Sequence, residues 1–239
     1  MELKEMIYKR KSNRKYKDEL LSKDILDDII RFVNDSKKLY PDIKFRMEFV
    51  DRDNVKCILP WIPKQNIAIF SEVKEGYLEN IGFIFQQLDL YLHSIGIGCC
   101  WLGMEKPNSK VKSKIEDNMK FVMCMSIGYC NDDIYRDIKD FKRFPLFKIS
   151  DIEDERLEVA RLAPSSVNSQ SWYFVHEKDI IHLYLKKHKL LSKLALNDMN
   201  HIDVGIALAH IYVSNINSFV TFKNDNKLKG MKYIISFKI

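Results

Sequence analysis

Glycine is scarce in this chain, eight residues in 239, and the scarcity removes one attractive reading at once. A dinucleotide fingerprint needs three spaced glycines that open a helix. Gly96-Ile97-Gly98 supplies two, but Trp101 stands where the third belongs, on a predicted strand. The five cysteines, Cys57, Cys99, Cys100, Cys124 and Cys130, include no Cys-x-x-Cys, and no histidine pair has ligand spacing. Neither a disulfide framework nor a metal site is expected. Uninterrupted apolar runs are also lacking, because Gln86, Gln87, Asp89 and His93 break the longest one, and the N-terminus is charged from its second residue. A soluble, reducing, cytoplasmic location without membrane association is therefore expected. The net charge of +6 is scattered rather than banded, which argues against a nucleic-acid partner. His93, His176, His182, His188, His201 and His210 form no pattern of a nucleophilic triad.

What is present is a chain rich enough in hydrophobic residues, 46%, to bury a sizeable core. Periodicity predicts helices near 2–9, 22–35, 76–95, 109–116, 151–163, 187–195 and 200–215. Strands are predicted near 45–50, 66–70, 98–102, 120–128, 172–176, 180–186, 218–223 and 231–239. The elements do not alternate as in a doubly wound fold. The class expected is α+β, an antiparallel-rich sheet packed by helices with two long apolar helices at its centre. No free linker divides the chain; the polar stretch 131–154 is the expected joint.

Two stretches carry chemistry. The first, Arg10-Lys11-Ser12-Asn13-Arg14-Lys15-Tyr16, sets two guanidiniums four residues apart with a hydroxyl between them, a set of donors suited to a phosphate dianion. The second, Arg161-Leu-Ala-Pro-Ser-Ser-Val-Asn-Ser-Gln-Ser-Trp172, packs Ser165, Ser166, Asn168, Ser169 and Gln170 behind the stiff Pro164 and ahead of an apolar strand. Either alone reads as a solvated basic arm or an ordinary loop. A third stretch, Gly96-Ile-Gly-Cys-Cys-Trp-Leu-Gly103, comes after a long helix and precedes the strand Phe121–Ile127 and Gly128-Tyr129.

Together these three stretches resemble the nitroreductase family of FMN-dependent oxidoreductases, whose members have an Arg-x-Ser-x-Arg/Lys-x-aromatic segment near the start and an Ala-Pro-Ser-x-x-Asn-x-Gln-Pro-Trp segment. The present chain departs in two ways. Position 171 is Ser where the family commonly has Pro, and the Pro-Ser-x-x-Asn segment comes last rather than in the middle. An internal repeat accounts for the order: Tyr77–Ile95 and Asn200–Asn215 align on Gly82 and Gly205, each a buried helix trailed by an apolar strand. Ordinary members form dimers with each flavin between two subunits. The resemblance therefore implies an internal pseudo-dimer, with 1–150 as one half carrying the phosphate site and 151–239 as the other, completing one flavin pocket.

The resemblance implies roles for named residues. Arg10, Lys11 and Ser12 would meet the phosphate, joined by Lys142 or Arg143, and Arg14 with Asn168 would approach the flavin pyrimidine edge. Pro164, Ser165, Ser166 and Gln170 would contact the cofactor from the second half, while Leu102 and Gly103 would offer a backbone N–H to the other ring edge. NAD(P)H would be the electron donor and a small molecule such as a nitroaromatic or quinone the acceptor, in ping-pong transfer. No side chain is assigned as catalytic, since the cofactor carries the chemistry. The chain is expected as a monomer or a homodimer. Two other classes stay open: a flavin-binding or storage protein without turnover, and a basic nucleic-acid-binding protein.

Overall fold

The computed structural model describes residues 2–57, 59–186, 193–224 and 227–239, with the side chains of 193–196 left aside. The chain folds as two compact units. One comprises Met1–Tyr77 and Leu88–Ile138, the other Leu78–Gln87 and Lys139–Ile239. The division after Ile138 falls inside the joint expected at 131–154 but ahead of the expected boundary at 150, and it takes Leu78–Gln87 into the second unit.

The first unit opens with α1 (Leu3–Ile7) and α2 (Lys23–Asp35). Ser22 caps α2, its hydroxyl accepting from the Ile25 amide at 3.4 Å, the arrangement its place before an acidic apolar-periodic run predicts. Strands β1 (Phe45–Asp51) and β2 (Val55–Lys56) come next, then β3 (Gln65–Glu72). Helix α3 (Tyr77–Ser94) leads into β4 (Gly98–Leu102), β5 (Lys106–Pro107), the single-turn α4 (Ser109–Lys112) and β6 (Met119–Gly128). The sheet order is β1-β3-β6-β4, antiparallel throughout, and β2 and β5 pair separately. One face of the sheet buries Val50, Ala68, Phe70, Leu102 and Cys124 around Ile62.

The second unit continues with α5 (Glu158–Arg161), β7 (Trp172–Glu177) and β8 (Ile180–Lys186). After these come α6 (Lys193–Ser214), β9 (Val220–Phe222) and β10 (Met231–Lys238). Its own four-stranded antiparallel sheet runs β7-β8-β10-β9. The single sheet expected from the sequence is thus two sheets of four strands, one per unit. The helix expected at 151–163 shrinks to α5 behind a short 3-10 turn, because Asp154 caps the turn at Arg156 rather than opening a full helix. The helix expected at 187–195 begins on residues 187–192, outside the described residues, as does His188.

Helices α3 and α6 are apolar nearly all round, and their middle turns are fully buried, as that pattern requires of a core helix. The Leu78–Gln87 part of α3 packs against α6 inside the second unit with a reciprocal contact. A methyl group on Gly82 would strike the carbonyl of Ile202, three residues before Gly205; one on Gly205 would strike the carbonyl of Glu79, three residues before Gly82. Two helix backbones approach this closely only where neither carries a Cβ. The polar residues on these helices pair rather than face apolar neighbours. Gln86 Nε2 meets His210 Nε2 at 3.1 Å, and His210 Nδ1 donates to the Val159 carbonyl at 2.8 Å.

Replacing either crossing glycine forces backbone apart, not merely side chains. Gly205→Val is expected to lower stability by about 3 kcal/mol or more, at or beyond the upper end for overpacked cores, read as a fall in Tm. Gly96→Ala serves as control: Gly96 has φ +82° but open space around it, so only left-handed strain of about 1 kcal/mol should appear.

Candidate functional site

In the first unit the basic segment is fixed by a buried ion pair. Arg10 donates from Nε and Nη2 to the two oxygens of Asp89 at 3.0 Å each, and both side chains are fully buried. The resemblance makes Arg10 the foremost phosphate cation; its guanidinium is engaged with a carboxylate, and among the described residues its Nη1 has no hydrogen-bond partner. Burial opposes ionisation of Asp89, yet the Arg10 charge and the His93 contact overcome it and hold the carboxyl down to about 2. His93, one turn further along α3, reaches the Asp89 carbonyl with Nδ1 at 2.8 Å and the Lys11 carbonyl with Nε2 at 3.0 Å. The Arg10 carbonyl accepts from Arg136 Nε at 3.0 Å, and the Asn13 amide donates to the Cys99 carbonyl at 3.0 Å.

With its root locked, the segment presents its later residues in fixed positions. Lys11 is partly buried, its ammonium 3.8 Å from Asp132, and Ser12 is half-buried beside Cys100. Arg14 is exposed, with its guanidinium 5.8 Å from the Trp61 ring centroid. Beyond it the backbone runs in a ladder against Tyr129–Asn131: Asn131 N donates to Lys15 O at 2.9 Å and Lys17 N to Tyr129 O at 2.8 Å. Tyr16 points inward, its hydroxyl 2.7 Å from Ser126 Oγ. Leu102 is buried in β4 opposite Cys124, and Gly103 is exposed at the edge of a cleft of about 580 Å³ with Phe70, Ile115, Met119 and Phe121 in its lining.

In the second unit the Pro-Ser-x-x-Asn-x-Gln stretch forms a turn held in unusual backbone geometry. Val167, Asn168 and Gln170 take φ values of 47°, 57° and 43°, in the left-handed region that non-glycine residues rarely visit. A β-branched residue there, Val167, is strained, and it is also 78% exposed. The surroundings over-determine the turn. Ser165 Oγ accepts from Gln170 N at 3.0 Å, Gln170 Oε1 accepts from Phe144 N at 2.7 Å, and Gln170 Nε2 donates to the Arg161 carbonyl at 3.1 Å.

Arg143 belongs to this turn. It donates to Ala163 O at 3.0 Å and to Asn168 Oδ1 at 2.6 Å, while Asn168 Nδ2 donates back to Lys142 O at 2.8 Å. Lys142 and Arg143 gather with Asn168 in the second unit, where Arg143 braces the turn. Ser171, the departure from proline, is buried; its hydroxyl donates to Asn200 Oδ1 at 3.1 Å and lies 3.0 Å from Ser169 Oγ, contacts a proline would forfeit.

Asp203 of α6 underlies the same turn and carries no motif that marks it in the sequence. Its two oxygens accept from the Ser166 amide at 3.1 and 2.9 Å. With no cationic partner among the described residues, burial outweighs that one donor and raises its pKa to about 8, so the group is mostly neutral near pH 7. Asn80 stands at the repeat-equivalent position on α3. Nearby in the same unit, His201 Nδ1 meets Glu79 Oε1 at 2.5 Å and His201 Nε2 lies 3.3 Å from Lys232 Nζ.

The cysteines are not poised as nucleophiles. Burial pushes Cys99 and Cys100 upward, Cys124 to about 12 and Cys130 to about 11. Asp89, His93 and Cys99 bring ligand atoms within 4.8 Å of one another, but Arg10 already takes both Asp89 oxygens, so a cation would have to displace a guanidinium.

Two antiparallel sheets with long buried helices define the fold class, and it is that of the nitroreductases. A "putative nitroreductase" from Thermotoga maritima MSB8 superposes over 99% of this chain and 92% of its own at a TM-score of 0.65, with 18% identity. A nitroreductase family protein from Clostridium difficile 630 matches 65% of this chain and 99% of its own, at TM-score 0.51 and 15% identity. An "FMN-dependent Nitroreductase" from Clostridium difficile R20291 is 22% identical over 58% of this chain and 95% of its own, at TM-score 0.44. Residues 2–215 match the family described as "Putative TM nitroreductase", and the chain belongs to that family. No curated protein matches it. Among the described residues no helix is long and apolar enough to cross a membrane.

The raised Asp203 pKa fixes a sign. The unfolded chain loses this proton near pH 4 while the folded chain keeps it until about pH 8, so the group lowers stability progressively across that window. Asp203→Asn, which retains an acceptor for Ser166 N, is expected to stabilise the protein at pH 8 by an amount of the order of kcal/mol and to be nearly neutral at pH 4. Urea midpoints at the two pH values check it.

Proposed function

We propose that the chain is an FMN-dependent NAD(P)H oxidoreductase that reduces small acceptors such as nitroaromatics or quinones. The observation that carries this reading is the family match over residues 2–215 together with an Arg10-x-Ser12-x-Arg14 segment whose later donors stay available. The residues fit the cofactor. Ser12 is half-buried, and Arg14 is exposed without an acidic partner among the described residues. FMN, when bound, would accept hydride from NAD(P)H and pass it to the acceptor in a ping-pong exchange.

The chain's own residues bind and orient. Arg14 and Ser12 supply a cation and a hydroxyl to an anionic ligand, and Arg10 acts through Asp89 as a positioning residue that keeps them in register. The turn Pro164–Gln170 is the other candidate grip, with Ser165, Ser166 and Asn168 as its polar groups; Arg143 and Asp203 hold it in its strained shape. Leu102 and Gly103 remain candidates for a backbone contact to the ring edge, Gly103 having no side chain to keep a ligand away. The reciprocal contact at Gly82 and Gly205 supports the reading of the chain as two related halves, since residue i meeting j while j meets i is the signature of a two-fold relation.

A visible absorbance spectrum tests this reading. A flavin spectrum at about one FMN per chain, bleached by NAD(P)H, is expected. Arg14→Ala should weaken FMN binding by about tenfold, the weight of one charge-assisted contact. A purified chain that neither contains FMN nor takes it up would end the proposal.

A further inference from the structure

The first unit holds a second feature, which shares only Arg14 with the flavin reading. A cleft of about 380 Å³ is lined by Arg14, Lys15, Lys17, Arg52 and Lys64 around Trp61, with Asp18 as the one carboxylate in its lining. Five cations against one anion leave a strong positive excess. Lys64 answers Asp18 at 3.0 Å, and Arg52 donates to the Pro60 carbonyl at 3.1 Å. Among the described residues the ammonium groups of Lys15 and Lys17 have no acidic partner.

The cleft is built rather than merely charged. The Lys15–Lys17 backbone is tied to Tyr129 and Asn131 by two amide bonds, and Asn131 Nδ2 donates to Tyr16 O at 2.9 Å. In extended backbone alternate side chains point to opposite sides. Tyr16 is drawn inward to Ser126, so Lys15 and Lys17 both project the other way. Trp61 packs against the core cluster, partly buried, with the Arg14 guanidinium 5.8 Å from its ring centroid. An indole is a surface on which a purine stacks, and two lysines held two residues apart suit a phosphate dianion.

We propose that this cleft receives the 2′-phosphorylated adenosine end of NADPH, with Lys15 and Lys17 on the 2′-phosphate and the base against Trp61, beside the Arg14 that the flavin reading assigns to FMN. The proposal rests on the oxidoreductase reading and deepens it: the chain would prefer NADPH to NADH. A free nucleotide or inorganic phosphate shares the anion chemistry but not the combination of base and 2′-phosphate.

Calorimetric titration of the whole chain with 2′,5′-ADP, 5′-AMP and inorganic phosphate separates these. The expected result is 2′,5′-ADP binding about tenfold or more tighter than 5′-AMP, the weight of one charge-assisted phosphate contact, with phosphate weaker still. The variant carrying Lys15→Ala and Lys17→Ala should lose that preference, raise KM for NADPH about tenfold with a much smaller change for NADH, and keep its FMN content. Equal affinity for 2′,5′-ADP and 5′-AMP would overturn the proposal. So would phosphate binding as tightly as 2′,5′-ADP, which would mean a bare anion site. Loss of FMN in the lysine variant would also overturn it, since the cleft would then hold the flavin itself. The titration needs no turnover. A chain without flavin that still selects 2′,5′-ADP would keep the cleft assignment and refute only the oxidoreductase reading.

Discussion

The buried pair between Arg10 and Asp89 is the constraint on which the first unit's chemistry depends. Two charges removed from water are costly unless geometry is good and their remaining valences are met. Here the fork of Arg10 meets both Asp89 oxygens, and His93 binds the Asp89 main chain on one side and the Lys11 carbonyl on the other. The partners lie 79 residues apart in sequence, so the pair closes a long loop and fixes the N-terminal segment to the last turns of α3. Everything after Arg10 inherits that placement: the Asn13 amide on Cys99, the Tyr16 hydroxyl on Ser126 and the lysine ladder along Tyr129–Asn131. Arg14 is useful to an anion because Arg10 is not free to compete for it.

The second unit depends on close approach instead. Gly82 and Gly205 let two buried helices come within backbone contact, and the polar groups they carry are then paired in place. Asp203 lies two residues from Gly205, so the helix crossing that fixes Gly205 also fixes the carboxyl under Ser166. The strained turn at Val167–Gln170 is held by that carboxyl, by Arg143 and by Gln170, and its exposed left-handed residues are the part of the unit least explained by packing alone.

Much of this was legible in the sequence because it is periodic or local. The two long helices announced themselves by apolar faces all round, the strands by alternation, and the two polar stretches by residue type. Ionic pairing across the chain was not. Nothing in Arg10-x-Ser12-x-Arg14 distinguishes a guanidinium that meets a ligand from one that meets Asp89, although Asp89 and His93, four residues apart and interrupting an apolar helix, were the visible clue that something charged had to face them. The resemblance assigns Arg143 to a phosphate, and no motif records the carbonyls of Leu162 and Ala163 to which it donates. Helix extent failed for a similar reason: a capping aspartate at 154 produced a short turn where apolar spacing alone predicted a full helix.

If the Arg10–Asp89 pair sets the segment proposed to hold the cofactor, stability and flavin content must fail together when the pair is broken. A double-mutant cycle on Arg10→Met and Asp89→Leu, reading urea stability and FMN content on the same samples, puts this to the test. Each single variant should cost about 3–5 kcal/mol and lose flavin, because it leaves a buried charge uncompensated, while the double variant should recover most of the stability. Single costs that simply add, with FMN content unchanged throughout, would contradict it.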